Sequence, residues 1–525
     1  MENGCLRHTE IPHTSKLFSD FQYHYDRVSG FYAHAPGDLT SFRAAAREIQ
    51  FPAERRAALV QALRKRNANN PSLDLLAQEG TVAVVTGQQV GLFSGPAYTI
   101  HKAVTAVRLA RRLTEEGIPA VPVFWLATED HDLAEINHAY VFDQDHRPVR
   151  LQADGHGPSL QPVGTIPMRE VPIDALAAAL APFAFGEEVS SLVARAYQPG
   201  VTFGEAFLTL LQELLAPWNV LFVDPLDAEV RRIAAPLLRD ALHDSTGLKD
   251  KLLARNKELA QAGYHAQVLI EPQTSLFFVL EDNRRVSLKR QNGDYASKDR
   301  TYSIGELVDR AEHVSPNALL RPVMQDYLLP TVAYVGGPAE LAYMAQSQVI
   351  YEDLLGRMPV MVARSGFTIL DQKAAKLMDR YHMRLPELFQ SEAAVRDRLA
   401  RTLVPDSLVR KFEEVRQKLT ESLSQLQGDV TSFDPTLAKA LERSRAKMLY
   451  QLSKIEGKTE REAMRRDARA NADALYLMHL IYPEKHLQER YYSILPFLAK
   501  HGLNLLDTLY ENVHLDCPDH KVLVV

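Results

Sequence analysis

Residues 82–102 read VAVVTGQQVGLFSGPAYTIHK, and residues 121–138 read VPVFWLATEDHDLAEINH. The first stretch opens with a short β-branched run, Val82–Val85, read as a buried strand. It passes into a polar loop bearing Gly87, Gly91 and Gly95, and Pro96 after Ser94-Gly95 marks the first turn of a helix. That helix reaches about Glu116 and stops at Gly117-Ile118-Pro119. Val121–Ala127 is the next strand, and it ends in Glu129-Asp130-His131-Asp132. Together they form a βαβ unit of an α/β fold. Its reactive groups lie at the carboxyl ends of the strands, where open α/β sheets bind ligands.

Working outward, Phe42–Arg66 carries a mixed apolar stripe and reads as helix. Asn219–Asp224 (NVLFVD), Pro330–Val335 (PTVAYV) and Met358–Ala363 (MPVMVA) read as further core strands. Thr202 and Glu205 form a capping box that opens a helix to about Ala216. Ala266–Ile270, Leu276–Leu280 and Arg285–Leu288 read as antiparallel strands of an inserted region, and Pro316–Tyr327 as a helix.

Beyond Tyr381 strands vanish and charge becomes dense. Leu408, Phe412, Val415, Leu419, Leu423, Leu426 and Val430 step by three and four, then Leu441, Met448 and Ile455 by seven. Gly428 and Pro435 separate the two runs, giving an antiparallel helical hairpin of coiled-coil type. The apolar run Lys521–Val525 is expected to return to a sheet edge. The expected domains are a core over 1–378 with inserts near 140–215 and 225–315, a coiled coil over 379–479, and C-terminal helices with a short strand over 480–525.

The chain has 525 residues, a formal charge of −6 and 46% hydrophobic residues, which suits a multidomain globular protein and argues against nucleic acid as the main partner. With only Cys5 and Cys517, no disulfide framework is expected. The start lacks a secretory pattern and no stretch reads as a membrane span, so a cytoplasmic protein with no membrane partner is expected.

Three constellations invite chemistry. In the first loop, backbone N–H groups at a helix N-terminus offer an anion site, with Gln88, Gln89 and Lys102 beside it; the plain alternative is a tight turn. The loop is neither a Walker A sequence nor GxGxxG. Four ionisable groups from Glu129 to Asp132 suggest a general base, or only acids decorating a helix start. Metal binding through His131, Glu135 and His138 lacks a signature such as HExxH, and no metal is expected. Gly336-Gly337-Pro338 with Glu340 and Tyr343 repeats the strand–glycine–proline logic, and Arg364-Ser365 adds a cation and a hydroxyl after another strand. Gly457-Lys458-Thr459 mimics a P-loop end, but Leu452 stands where the loop's first glycine belongs.

TGQQVGLFSGPAYTIHK, PVFWLATEDHDLAEINH, SPNALLRPVMQDYLLPTVAYVGGPAELAYMAQ and the late helical hairpin together resemble the BshC family, the cysteine-adding enzymes of bacillithiol biosynthesis. The resemblance covers nearly the whole chain. It implies a Rossmann-like core of the nucleotidyltransferase and class I synthetase type, and a coiled coil that forms a homodimer. It implies a ligase joining L-cysteine to glucosaminyl-malate with ATP or another nucleotide, and magnesium only if ATP is used. HxGH and KMSKS, the nucleotide signatures of that superfamily, do not occur here. Two other readings therefore stay open: a non-catalytic dimeric regulator that binds a nucleotide or thiol, and a nucleotidyltransferase on another substrate. The expected catalytic residues are Asp130, His131, Asp132 and Lys102. The expected substrate or nucleotide contacts are Gly87, Gln88, Gln89, Gly91, Ser94, Gly95, Tyr98, Trp125, Glu129, Asn137, Gly336, Gly337, Glu340, Tyr343, Arg364 and Ser365.

Overall fold

A computed structural model describes residues 4–271, 273–291 and 293–525. Five strands form the central parallel sheet: β1 (Val82–Gln89), β2 (Ala120–Ala127), β3 (Leu221–Val223), β4 (Thr331–Gly336) and β5 (Val360–Ala363). Their order is β5-β4-β1-β2-β3, a doubly wound Rossmann-like arrangement. The strands are mostly apolar because both faces are covered, and β1 turns polar toward its end at Thr86, Gln88 and Gln89. Val84 and Phe124 are fully buried, Val84 in a core shared with Leu109 and Leu113 of helix α1 (Tyr98–Glu115).

β1 runs four residues beyond the expected strand, so Gly87, Gln88 and Gln89 are strand residues paired with Trp125, Leu126 and Ala127. Gly87 is needed for that pairing: a Cβ there would stand 2.8 Å from the Trp125 carbonyl oxygen. Helix α1 begins two residues after Pro96, behind a 3-10 turn at Leu92–Ser94.

Other departures are local. Phe42–Arg66 is two helices, Leu39–Glu48 and Ala53–Leu63, broken at Phe51-Pro52, where proline cannot continue a helix. Ala266–Ile270 lies outside any strand, and the expected helix from Pro316 starts at Arg321, after a strand at Val314–Pro316. That strand closes a five-stranded antiparallel sheet with Thr274–Glu281, Arg284–Gln291, Asp294–Ala296 and Thr301–Tyr302. The tail, His520–Val524, is the middle strand of a three-stranded sheet rather than an edge, between Gly4–Leu6 and Phe367–Leu370.

The helical hairpin is α3 (Asp406–Phe433) packed on α4 (Pro435–Arg466). Gly428 sits inside α3, so the break falls at Asp434, whose side chain caps α4 by accepting from Thr436 N–H at 2.8 Å. Gly457-Lys458-Thr459 lies within α4.

Candidate functional site

A cavity of about 620 Å³ opens beyond the carboxyl ends of β1 and β4, where the strand order reverses. The end of β1 contributes Gly87, Gln88 and Gln89, α1 contributes Tyr98 and Lys102, and β2 with its following turn contributes Trp125, Glu129, Asp130 and His131. Opposite stands the first turn of α2 (Pro338–Leu354), with Gly337, Glu340 and Tyr343. Arg364 closes one side.

Lys102 lies one turn into α1 and is buried. Its ammonium donates to Gly87 O and Gln88 Oε1, each at 2.9 Å, and pairs with the Glu340 carboxylate. Burial lowers its pKa, against the opposing pull of Glu340. Glu340 also accepts from Gly337 N–H at 2.8 Å and from the Tyr334 hydroxyl at 2.6 Å. Burial pushes this carboxyl up, but the Lys102 charge and these donors outweigh it and hold it below its usual range. The pair thus staples β1 and α1 to the start of α2 across the crevice.

Glu129 is buried, paired with Arg231, and accepts from Ser315 Oγ at 3.1 Å. It anchors the end of β2 and leaves Asp130 and His131 to face the cavity. Asp130 accepts from Gln89 Nε2 at 2.5 Å. His131 Nδ1 lies 3.4 Å from the Arg285 guanidinium. Burial, then the Arg285 charge, lowers the His131 pKa, so the ring is neutral at neutral pH and able to accept a proton.

Sequence reasoning missed Phe278, Arg285, Asn317, Arg321 and Arg490, all of which line the cavity. Arg285 lies over the Phe278 ring, 3.8 Å from its centroid, and donates to Ser315 Oγ and Pro316 O. Arg321 donates to Gln325 Oε1 at 3.2 Å and to the Tyr343 hydroxyl at 3.0 Å. Arg490 is exposed and reaches over Tyr98. The acceptors of Arg285 and Arg321 are neutral, whereas Glu340 and Glu129 are already matched by cations. With Asp130 as the one lining carboxylate not matched by a cation among the described residues, Arg285, Arg321 and Arg490 still leave the cavity with surplus positive charge, suited to an anionic ligand. Arg321 stands inside the quoted block from Ser315, which was its only signal. Arg285 follows a hairpin turn and gave none.

Seven expected residues stand away from this cavity. At Gly91, a Cβ would lie 3.0 Å from Gly95 Cα. Ser94 and Gly95 adopt left-handed backbone, φ 73° and 65°, in a turn covered by the chain near Tyr492. There Ala97 N–H donates to Tyr492 O at 2.7 Å and Ser493 Oγ to Phe93 O at 2.9 Å, so the start of α1 is closed by protein. Asp132 is exposed and caps the helix Leu133–Ile136, accepting from Ala134 N–H at 3.1 Å. Asn137 ends that helix, and its carbonyl accepts from Ala153 N–H. Gly336 packs under Glu340 and Tyr334. Ser365 is turned to Thr105, donating through its backbone at 3.1 Å. Among the described residues no group of three or more His, Cys, Asp or Glu side chains is placed to hold a metal, which sets aside His131, Glu135 and His138 as a ligand set.

The description "Bacillithiol biosynthesis BshC, N-terminal Rossmann-like domain" matches residues 1–365, and "Bacillithiol biosynthesis BshC, C-terminal coiled-coil domain" matches residues 367–525. The chain belongs to the bacillithiol biosynthesis BshC family. A relative from Solibacter usitatus, named "Putative cysteine ligase BshC", is 51% identical over the full length of both chains. Relatives with the same name from Koribacter versatilis and Salinibacter ruber are 36% and 32% identical, the first across 99% of both chains, the second across 97% of this chain and 96% of its own. In this chain the boundary between the two matched domains falls beside Arg364, where the cavity wall passes into the C-terminal part. Among the described residues no helix is long and apolar enough to cross a membrane.

Proposed function

We propose that this chain is a cytoplasmic cysteine ligase that joins the carboxyl of L-cysteine to the amine of glucosaminyl-malate in the last step of bacillithiol biosynthesis. The observation that carries this reading is the cation-rich cavity at the sheet's switch point, in a chain 51% identical to a relative named as a cysteine ligase. The malate part of the acceptor carries two carboxylates, and Arg285 and Arg321 offer planar donors to such groups. Asp130 or His131 takes the proton from the sugar amine, and Lys102 steadies negative charge developing on the acyl oxygen. Holding amine and acyl group in one crevice supplies much of the rate.

A carboxylate is a poor electrophile, so a nucleoside triphosphate is the activating reactant in this reading. Pro338 has no N–H and Gly337 N–H already serves Glu340, so it is the N–H groups of Ala339 and Glu340, together with Arg364 and Arg490, that suit phosphate oxygens. Any magnesium would arrive with the phosphates rather than on a protein ligand cluster. The protein acts as a homodimer through α3 and α4.

The direct test incubates the protein with glucosaminyl-malate, cysteine and ATP and looks for the amide product by mass. Product that needs all three reactants supports the proposal. Absence of product with every nucleoside triphosphate sinks it.

A further inference from the structure

The Arg285 side chain has five N–H donors, and three of them are engaged by protein. Nε donates to Ser315 Oγ at 3.0 Å, Nη2 to Pro316 O at 2.8 Å, and Nη1 to His131 Nδ1 at 3.4 Å. The other two, one on each terminal nitrogen, meet no acceptor among the described residues, and the side chain lines the cavity. Those two hydrogens are open to a carboxylate.

A guanidinium only donates, so its contact with His131 assigns the ring's lone pair to Nδ1 and its hydrogen to Nε2. A neutral imidazole has one basic lone pair, and Arg285 holds it. The other charges around the ring do not compete for Nδ1. Asp130 Oδ1 stands 3.9 Å from it and accepts from the His131 backbone N–H at 2.7 Å, while Asp130 Oδ2 accepts from Gln89. Asp132 caps the helix Leu133–Ile136, and Glu129 is matched by Arg231. At 3.4 Å the bond to His131 is the longest of the three that Arg285 makes, so it yields first. A carboxylate on the same guanidinium makes shorter, charge-assisted bonds that are roughly twice as strong.

We infer that Arg285 gates His131: in the empty site its guanidinium masks the ring nitrogen, and a carboxylate of the acceptor draws Nη1 aside and frees that nitrogen for the amine proton. The gate rests on the ligase reading, in which the amine proton goes to a side chain at this end of β2. A glucosaminyl group carries its amine on C2 and the malate oxygen on C1, so nitrogen and malate are close neighbours, as His131 and Arg285 are. The amine, having lost its first proton to solvent, bonds to the acyl carbon. The phosphate-bearing group that activated the carboxyl leaves with the bonding pair, and the proton shed by nitrogen passes to His131 Nδ1. Until an acceptor arrives, no free imidazole is present to activate water against the acyl group. Burial and then the Arg285 charge hold the His131 pKa down, and a bound carboxylate offsets the second cause.

The test uses the full-length protein with isotope-labelled histidine, L-malate as probe, and proton uptake by His131 followed by NMR, its signal assigned by its absence in His131→Gln. Saturating malate should raise the midpoint of proton uptake by about 1 pH unit, a roughly tenfold gain in proton affinity. Arg285→Met should show the raised midpoint without malate and no response to it. The wild-type titration decides alone if that variant does not fold. No malate binding at concentrations on the order of 10 mM, or binding that leaves the midpoint in place, overturns the gate. The readout needs no turnover. Amide made by a protein whose His131 ignores malate removes the gate and spares the ligase reading. Absence of amide from a protein whose His131 responds removes the ligase reading and keeps the coupling between Arg285 and His131.

Discussion

Arg364 and Glu489 form a bidentate pair, with Nη1–Oε2 at 2.9 Å and Nη2–Oε1 at 2.6 Å, and both side chains are buried. Glu489 also accepts from Phe367 N–H at 3.0 Å and faces His101 Nδ1 at 3.0 Å. Burial alone would raise its pKa, but the Arg364 charge prevails and holds the carboxyl well below the usual range. A residue of the C-terminal segment thereby fixes the guanidinium that lines the cavity of the Rossmann-like part.

Glu489→Gln keeps the shape of this contact and removes its charge. Arg364 is then buried without a counterion, a defect worth about 3–5 kcal/mol. Denaturant unfolding should show that loss, and the KM for the nucleoside triphosphate should rise as Arg364 shifts. Unchanged stability and KM together would show that Glu489 does not hold Arg364.

Acid should destabilise the fold through buried histidines at a pH above the ordinary carboxylate range. Burial, the largest cause in each case, lowers His8 to about 4 and His520 to about 3, against 6.5 for an ordinary histidine. Between pH 6.5 and about 4 the unfolded chain binds protons at these sites and the folded chain does not, so stability falls as pH falls. The slope is about 1.4 kcal/mol per pH unit for each histidine well inside that window. Glu489, also depressed, adds its own loss only below its ordinary value of 4.5. Guanidinium midpoints measured from neutral pH down to pH 5 should decline steadily, and His520→Gln, if it folds, should flatten the decline.

His131 and Asp132 are neighbours in sequence with separate roles. His131 faces the cavity with a neutral ring, whereas Asp132 is exposed and caps a short helix. His131→Ala should lower kcat by about 10²-fold or more if the ring moves a proton. Asp132→Ala should leave kcat within about twofold and cost about 1 kcal/mol of stability through the lost cap. Equal kinetic effects from the two would remove His131 from proton transfer.

The five parallel strands and the hairpin were legible because their signals are local: β-branched runs between glycine or proline stops, and apolar steps of three, four and seven. The two halves of the crevice were also legible, since Gly87–Gln89 and Gly337–Glu340 follow from where such strands end. The roles inside them were not. The start of α1 promised an anion site, but Tyr492 and Ser493, some four hundred residues away, fill it. Asp132 and Asp130 read alike until the helix at Leu133 turns one to solvent. Arg285 and Arg490 reach the cavity only through long-range packing of the insert and the C-terminal segment, which no spacing in sequence encodes.

The proposed dimer makes a sharp demand on α3 and α4. Their shared seam buries Leu423, yet Val415, Leu426, Met448 and Ile455 remain about half exposed. Val415 and Leu426 stand eleven residues apart and Leu437, Met448 and Ile455 eleven and seven, spacings that return to one side of a helix. The Arg416–Glu456 pair crosses the hairpin and sets Val415 level with Ile455. Two helices thus present apolar side chains beyond what their own packing uses, and an apolar patch of that kind marks an association surface. Met448→Glu with Ile455→Glu places charge on that patch without touching the cavity. Sedimentation should show a dimer for the wild-type chain and a monomer for the double variant, with helix content retained. A wild-type monomer at micromolar concentration, or a variant that stays dimeric, removes this face from assembly.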